Sequence, residues 1–306
     1  MAQRPAVRAT KLAAARSLVS LLKFVLEHPL NADGRLRALL RVLRWQTVAR
    51  IAPGAVALPF VDDTFLWCER GMTGATGNYY CGLHEPEEMA FVAHFLRPGD
   101  LFLDVGANVG SYTLLASSSG AKVVAVEPVP STFNHLQMNV LLNRFQSNVR
   151  LMNIGLADRV GELRFTNLLD TMNHVLADGE LGPYVSVPVD TVDNVVGFSP
   201  PTLIKIDVEG YETAVLAGAT ATLRNPNLQV VICETNGSGS RFGKSDQDIS
   251  DVLLSCGLFA CSYDATSRVI SPKTISGLNT IFIRDVAAVS VRTKESRQLR
   301  LVTGLL

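Results

Sequence analysis

The segment Leu101 to Thr113, LFLDVGANVGSYT, followed by KVVAVEP at Lys122 to Pro128, constrains the fold of this 306-residue chain more than any other. An apolar run enters a turn that carries Gly106 and Gly110, a helical stretch follows, and a second apolar run ends on Glu127. Short apolar runs bounded by glycine read as buried strands, and strand, turn, helix and strand in that order form one βαβ unit of a parallel sheet. Without a Cβ, the turn glycines let the backbone bend sharply and come close to a ligand at the carboxyl end of the first strand.

The acids at the two strand ends narrow the choice of ligand. Asp104 sits where the first strand delivers its side chain to the turn, and Glu127 follows 23 positions later at the end of the second strand. An acid at that place accepts both hydroxyls of a ribose. A dinucleotide site needs Gly-x-Gly-x-x-Gly, with the pyrophosphate on the helix N-terminus. Here the pattern is Asp-x-Gly-x-Asn-x-Gly, and Asn108 stands where the middle glycine would admit the pyrophosphate. A ligand with a ribose and no phosphate fits better, and S-adenosylmethionine is such a ligand.

From Asp100 onward strands and helices alternate. NVRLMNIGL reads as strand three, TLIKIDVEG as strand four with YETAVLAGATATLRN as its helix, and LQVVICETN as strand five with the helix SDQDISDVLLSCG. ELRFTN and YVSVPVDTV are extended pieces framing the irregular LLDTMNHVLADGELG, and FACSYDA with GLNTIFIRD suits an antiparallel hairpin at one sheet edge. Upstream, Glu87 to Leu96 is a helix, and residues 54 to 84 read as short strands and turns in which GMTGATGNYYCGLHE is a glycine-rich loop. The alternation implies an α/β fold with a mostly parallel sheet, and its antiparallel last strand resembles the seven-stranded sheet of the class I methyltransferase (Rossmann-like) fold, here behind a helical N-terminal extension. The expected boundaries are residues 1–84 for the extension, 85–290 for the S-adenosylmethionine-binding domain and 291–306 for a C-terminal tail.

The formal charge of zero conceals an asymmetry. Residues 1 to 50 hold ten Lys/Arg against Glu27 and Asp33, a net +8, and the remainder carries −8. Leu12, Ala15, Val19, Leu22 and Leu26 recur at spacings of three and four over residues 9 to 27, HPLNADG breaks that helix, and a second basic helix runs from Leu36 to Arg50. Two readings are open: a helical pair packed on the main domain with solvated arginines, or a surface that makes peripheral contact with an anionic membrane or a lipid-linked substrate. Nucleic acid is not an expected partner, because no aromatic-basic platform accompanies the charge. SLVSLL is interrupted by Lys23, too soon for a membrane span, and lacks a signal-cleavage site. Five cysteines with no Cys-x-x-Cys and no His at zinc spacing read as thiols of a reducing cytoplasm.

FLDVGANVGSYT, AVEPVPSTFNHLQMNVLLN, LIKIDVEGYETAVLAGA and VVICETN, in that order over about residues 85 to 285, resemble the FkbM-type methyltransferases. The upstream GMTGATGNYYCGLHEPEEM looks like the N-terminal extension of some bacterial members. The resemblance implies transfer of a methyl group from S-adenosylmethionine, largely to oxygen. Its cofactor set on this chain is Asp104, Gly106, Ala107, Asn108, Gly110, Tyr112, Thr113, Glu127 and Pro128, with Asp207 nearby. Asp158, beyond strand three, is either an adenine contact or a solvated turn acid.

An alcohol needs a base during attack, and Asp207 and Glu209 stand at the end of strand four, next to the glycine turn. Lys205, Asp207 and Glu209 share one face of that strand, and a buried run of charges that satisfies only itself is the competing reading. His174 is the second candidate base, or else a bystander in its loop. Tyr80, His84, Asn173, His174, Glu234 and Asn236 are the candidate acceptor contacts, and Tyr79, Tyr80, His84 and Glu85 form either a lid or a surface loop. Asp207 with Glu234 and Asn236 resembles the magnesium site of catechol-type O-methyltransferases. The family resemblance does not require a metal, and none is assigned. The acceptor implied by the resemblance is a sugar hydroxyl on a glycan or glycolipid precursor. The alternatives are N-methylation, a secondary-metabolite hydroxyl, an NAD-dependent oxidoreductase or a noncatalytic binding protein.

Overall fold

A computed structural model describes residues 18–306 apart from 170, 171, 178 and 276. The first half of the helix expected over residues 9 to 27 therefore lies outside the described residues, and residues 18–27 are helical.

The central sheet has eight strands: β1 (Leu101–Val105), β2 (Lys122–Val126), β3 (Val149–Met152), β4 (Leu203–Ile206), β5 (Val230–Glu234), β6 (Phe259–Asp264), β7 (Val269–Pro272) and β8 (Asn279–Ile283). Their order is β7-β6-β8-β5-β4-β1-β2-β3. From β3 through β5 every pairing is parallel, and β8 runs antiparallel to both β5 and β6. Order reverses on either side of β1 and β4, and their carboxyl ends are where an open sheet of this kind takes its ligand.

Two details of the expected sheet change. The closing hairpin is β6 with β7, and β8 inserts between β5 and β6 instead of lying at the edge. All five residues of β8 are buried, as a strand covered on both faces must be, whereas β7 is an edge strand with no buried residue. That exposure removes the apolar alternation that would have announced an eighth strand.

Helices cover both faces. Phe102 and Leu203 face one apolar cluster; Leu103, Val105, Ile204 and Ile206 face the other. The first cluster continues without a break into Val25, Ala38, Val42 and Trp45 of the N-terminal helices. Helix α1 (Arg35–Ile51) packs on α2 (Thr73–Cys81), and α3 (Pro86–Phe95) packs on α4 (Ser111–Ser118). The C-terminal helix Val286–Lys294 straddles the expected boundary at 290, and the tail returns to the N-terminal segment through Arg297–Asp62 and Arg300–Asp63 pairs, both at 2.6 Å.

Helix α2 corrects the expected glycine-rich loop. Its glycines are poor helix formers, yet residues Ala75 to Cys81 are all buried, so packing and not propensity holds the turn. Gly77 is required by that packing, because a Cβ there would lie 2.2 Å from Nδ1 of His84. The helix expected after strand four is broken into α5 (Glu212–Ala217) and Thr220–Arg224 at Gly218, whose missing Cβ makes room for the Ala157 carbonyl. The extended pieces flanking the irregular segment form a separate small sheet of Gly155–Leu156, Tyr184–Asp190 and Gly161–Thr166.

Candidate active site

The two motif turns are built against each other. Gly106 has φ +77°, and a Cβ on it would fall 1.9 Å from the Asp207 carbonyl oxygen, so the loop after β1 and the loop after β4 interlock through backbone. Side chains then face the cleft between them. Asp104 is buried and registered beside Lys205 on the neighbouring strand. Its Oδ2 accepts the Thr113 hydroxyl at 2.6 Å, and its Oδ1 has no hydrogen-bond partner among the described residues. Burial pushes this carboxyl up to about 6 against the opposing pull of Lys205.

Glu127 directly follows the second strand as a buried acid whose two oxygens accept the N–H groups of Asn108 and Val129, each at 3.0 Å. Burial pushes it up to about 7, against those two hydrogen bonds. Asn108 adopts φ +51°, which orients its N–H toward Glu127, and asparagine tolerates that conformation better than most residues.

A second group of acids lies across the cleft. Lys205, almost wholly buried, bonds Asp207 Oδ2 at 2.7 Å and sits 4.7 Å from the Tyr112 ring centre. Burial alone would lower the lysine, and Asp207, Glu85 and Asp104 together more than reverse this, so it stays cationic. Tyr112 donates its hydroxyl to Glu85 at 2.6 Å, and Asn279 of β8 donates to the other oxygen of Glu85 at 3.0 Å. Glu209 turns with φ +55°, and Gly210 follows at φ +106°, where a Cβ would meet the Ser238 carbonyl. Glu212 fastens this turn by accepting the N–H groups of Val208 and Gly210, both at 3.1 Å.

Carboxylate oxygens of Asp207, Glu209 and Glu234 all lie within 4.8 Å of one another. Burial, then Asp207, pushes Glu209 up to about 7, and burial with three neighbouring acids raises Glu234 well above the carboxyl range. Glu234 Oε2 has no partner among the described residues. Three hard oxygens this close suit a magnesium-type cation chemically; without one, protons balance part of their charge.

These two groups line one cavity of about 260 Å³. Asp104, Gly106, Ala107, Asn108, Tyr112, Glu127 and Pro128 of the expected cofactor set reach it, as do Asp207, Glu209, Glu234, His84 and Asn173. Other expected residues do not. Gly110 forms the left-handed cap of α4 and Thr113 stands behind Asp104. Asp158 pairs with Arg159 at 3.6 Å, away from the lining. His174 is buried outside the cavity, its ring nitrogens engaged by the Met172 carbonyl at 2.9 Å and Glu180 at 2.8 Å. Tyr80 packs inward, its carbonyl holding Arg41, and Tyr79 is buried beside it. Asn236 is exposed, donating to Glu234 and accepting from the Ser238 N–H.

Sequence reasoning missed Thr73, Gly74 and Asn78, which reach the cavity from α2, and Phe165 from the small sheet. Their signal was masked because glycine made the α2 stretch read as loop. Glu212 was legible in principle as the acid two residues past the DVEG turn.

A family model described as the methyltransferase FkbM domain matches residues 104–258, from the Asp104 turn past Glu234. The chain is 32% identical over 196 residues to the hexuronic acid methyltransferase AglP of Haloferax volcanii, covering 62% of this chain and 74% of that protein. It is 28% identical over 185 residues to the 31-O-demethyl-FK506 methyltransferase FkbM of Streptomyces tacrolimicus, covering 49% of this chain and 70% of that one. A crystal structure of a methyltransferase FkbM from Methylobacillus flagellatus aligns at TM-score 0.41 and 15% identity, covering 83% of this chain and 60% of that chain. The chain belongs to the FkbM methyltransferase family.

Proposed function

We propose that this enzyme transfers the methyl group of S-adenosylmethionine to a hydroxyl of a sugar, on a glycan or glycolipid precursor. The observation that carries the reading is one cavity with the buried Glu127 and an unpartnered buried oxygen of Asp104 at one side and three convergent acids at the other. Asp104 Oδ1 needs a donor, which the amino group of the methyl donor supplies, and Glu127 takes the ribose hydroxyls. The bound donor contributes an electrophilic methyl on a sulfonium.

Asp207 accepts the proton of the attacking hydroxyl, with the Lys205 ammonium at 2.7 Å fixing the carboxylate's direction. Glu209 and Glu234, whose burial favours their protonated forms, hold the acceptor's neighbouring hydroxyls in line for displacement. The name of the AglP relative, a hexuronic acid methyltransferase, supports a sugar acceptor.

Mass spectrometry of reactions with methyl-deuterated S-adenosylmethionine tests the class of acceptor. A mass gain on a hexuronic acid or neutral hexose glycoside is expected; labelling confined to amines or to a macrolide alcohol would contradict the reading. Closeness of the three carboxylates favours a second form of it, in which Asp207, Glu209 and Glu234 hold a magnesium ion that would polarise the acceptor oxygen. Full turnover in excess EDTA would dispose of that form.

A further inference from the structure

Helix α1 is apolar on two faces, and the fold uses only one. Ala38, Val42 and Trp45 are buried in the core. On the opposite side Leu36, Leu40, Leu43 and Ile51 are 72%, 56%, 63% and 77% exposed. At 3.6 residues per turn these four fall within about 80° of arc, so they share one face, on which the exposed Thr47 separates Leu43 from Ile51. Arg35, Arg37, Arg44 and Arg50 are exposed beside it, and α1 contains no acidic residue. The fifth arginine, Arg41, is turned inward, donating to the Tyr80 carbonyl at 2.8 Å and to Asn31 at 2.7 Å.

From this arrangement we infer that the outer face of α1 docks on an anionic lipid bilayer, with the leucine stripe in the interface and the four arginines among the headgroups. Leucines flanked on both sides by arginine match a surface that is apolar below and negative above. The preceding chain does not match: residues 1–17 carry Arg4, Arg8, Lys11 and Arg16 and no acid, so they would be repelled by the stripe's rim and would add to its attraction for lipid. Helix α1 packs on α2, which lines the catalytic cavity. Docking through α1 therefore holds that cavity about one helix diameter, ~10 Å, behind the bilayer surface.

Co-sedimentation of the full chain with vesicles of phosphatidylcholine, with and without phosphatidylglycerol, tests this. Partitioning onto the anionic vesicles should exceed that onto phosphatidylcholine alone by about tenfold and weaken with added salt. Leu40→Ser/Leu43→Ser and Arg37→Gln/Arg44→Gln should each cut it several-fold with the melting temperature unchanged, since all four side chains are exposed. Absence of binding to anionic vesicles, or binding that both double variants retain, would overturn the inference. So would a concentration-dependent dimer, seen by light scattering, that Leu40→Ser/Leu43→Ser dissociates, because the stripe would then belong to a second copy. No readout here depends on methyl transfer.

Discussion

At the scale of single residues, Gly106 joins the two halves of the site. It needs φ +77°, and a Cβ would strike the Asp207 carbonyl, which is backbone and has nowhere to go. Gly106→Ala should therefore destabilise the protein by at least ~2 kcal/mol, visible as a lowered melting temperature, and should weaken binding of S-adenosylhomocysteine; an unchanged melt would contradict the interlock. Asp207→Asn keeps the shape and removes the proton acceptor. Turnover should fall about 100-fold or more with product affinity within a few-fold of wild type, and full turnover would remove Asp207 as the base. Asp104, Glu127 and Asp207 were legible in the sequence because strand ends and glycine turns fix where such acids go. Lys205's seat over Tyr112 and the reach of Tyr112 to Glu85 were not, since that contact spans 27 positions and depends on how α4 packs.

Among elements, α2 shows where local pattern misleads. TGATGNYYC has the composition of a loop, and only the burial of Ala75 to Cys81 makes it a helix. Gly77→Ala improves helix propensity by about 1 kcal/mol, but the added methyl meets the His84 ring, which is packed on Phe24 with ring centres 5.0 Å apart. Thermal melts should show a net loss of stability; a rise would mean that the ring moves aside freely. The parallel core of the sheet was legible because β1, β2, β4 and β5 are nearly continuous apolar runs bounded by glycine or acid. The insertion of β8 was not, because a buried strand reads the same at any interior position of a sheet. Likewise β7, with no fully buried residue, left no periodic signal.

For the whole molecule, the N-terminal helices share the core of the sheet, and the C-terminal tail ties back to Asp62 and Asp63, so both flanks of the chain pack on the body whose residues between Thr73 and Glu234 form the site's walls. Burial also raises several of its acids above their ordinary range. Glu127 is raised from 4.5 to about 7 by burial, so the stability its protonation contributes is present below about 4.5 and lost as pH rises through about 7. Ribose hydroxyls favour its ionised form. Affinity for S-adenosylhomocysteine should therefore rise several-fold between about pH 6 and about pH 8, with proton release detectable by calorimetry in buffers of different ionisation enthalpy. Affinity that is flat over this range, without proton exchange, would count against a ribose contact at Glu127. The most direct test of the account is calorimetric titration of S-adenosylhomocysteine into the wild-type chain and Glu127→Ala. Saturable one-to-one binding by the wild type, weakened at least about tenfold by the substitution, is the predicted result; equal affinity in the two proteins, or no binding by the wild type, would contradict it.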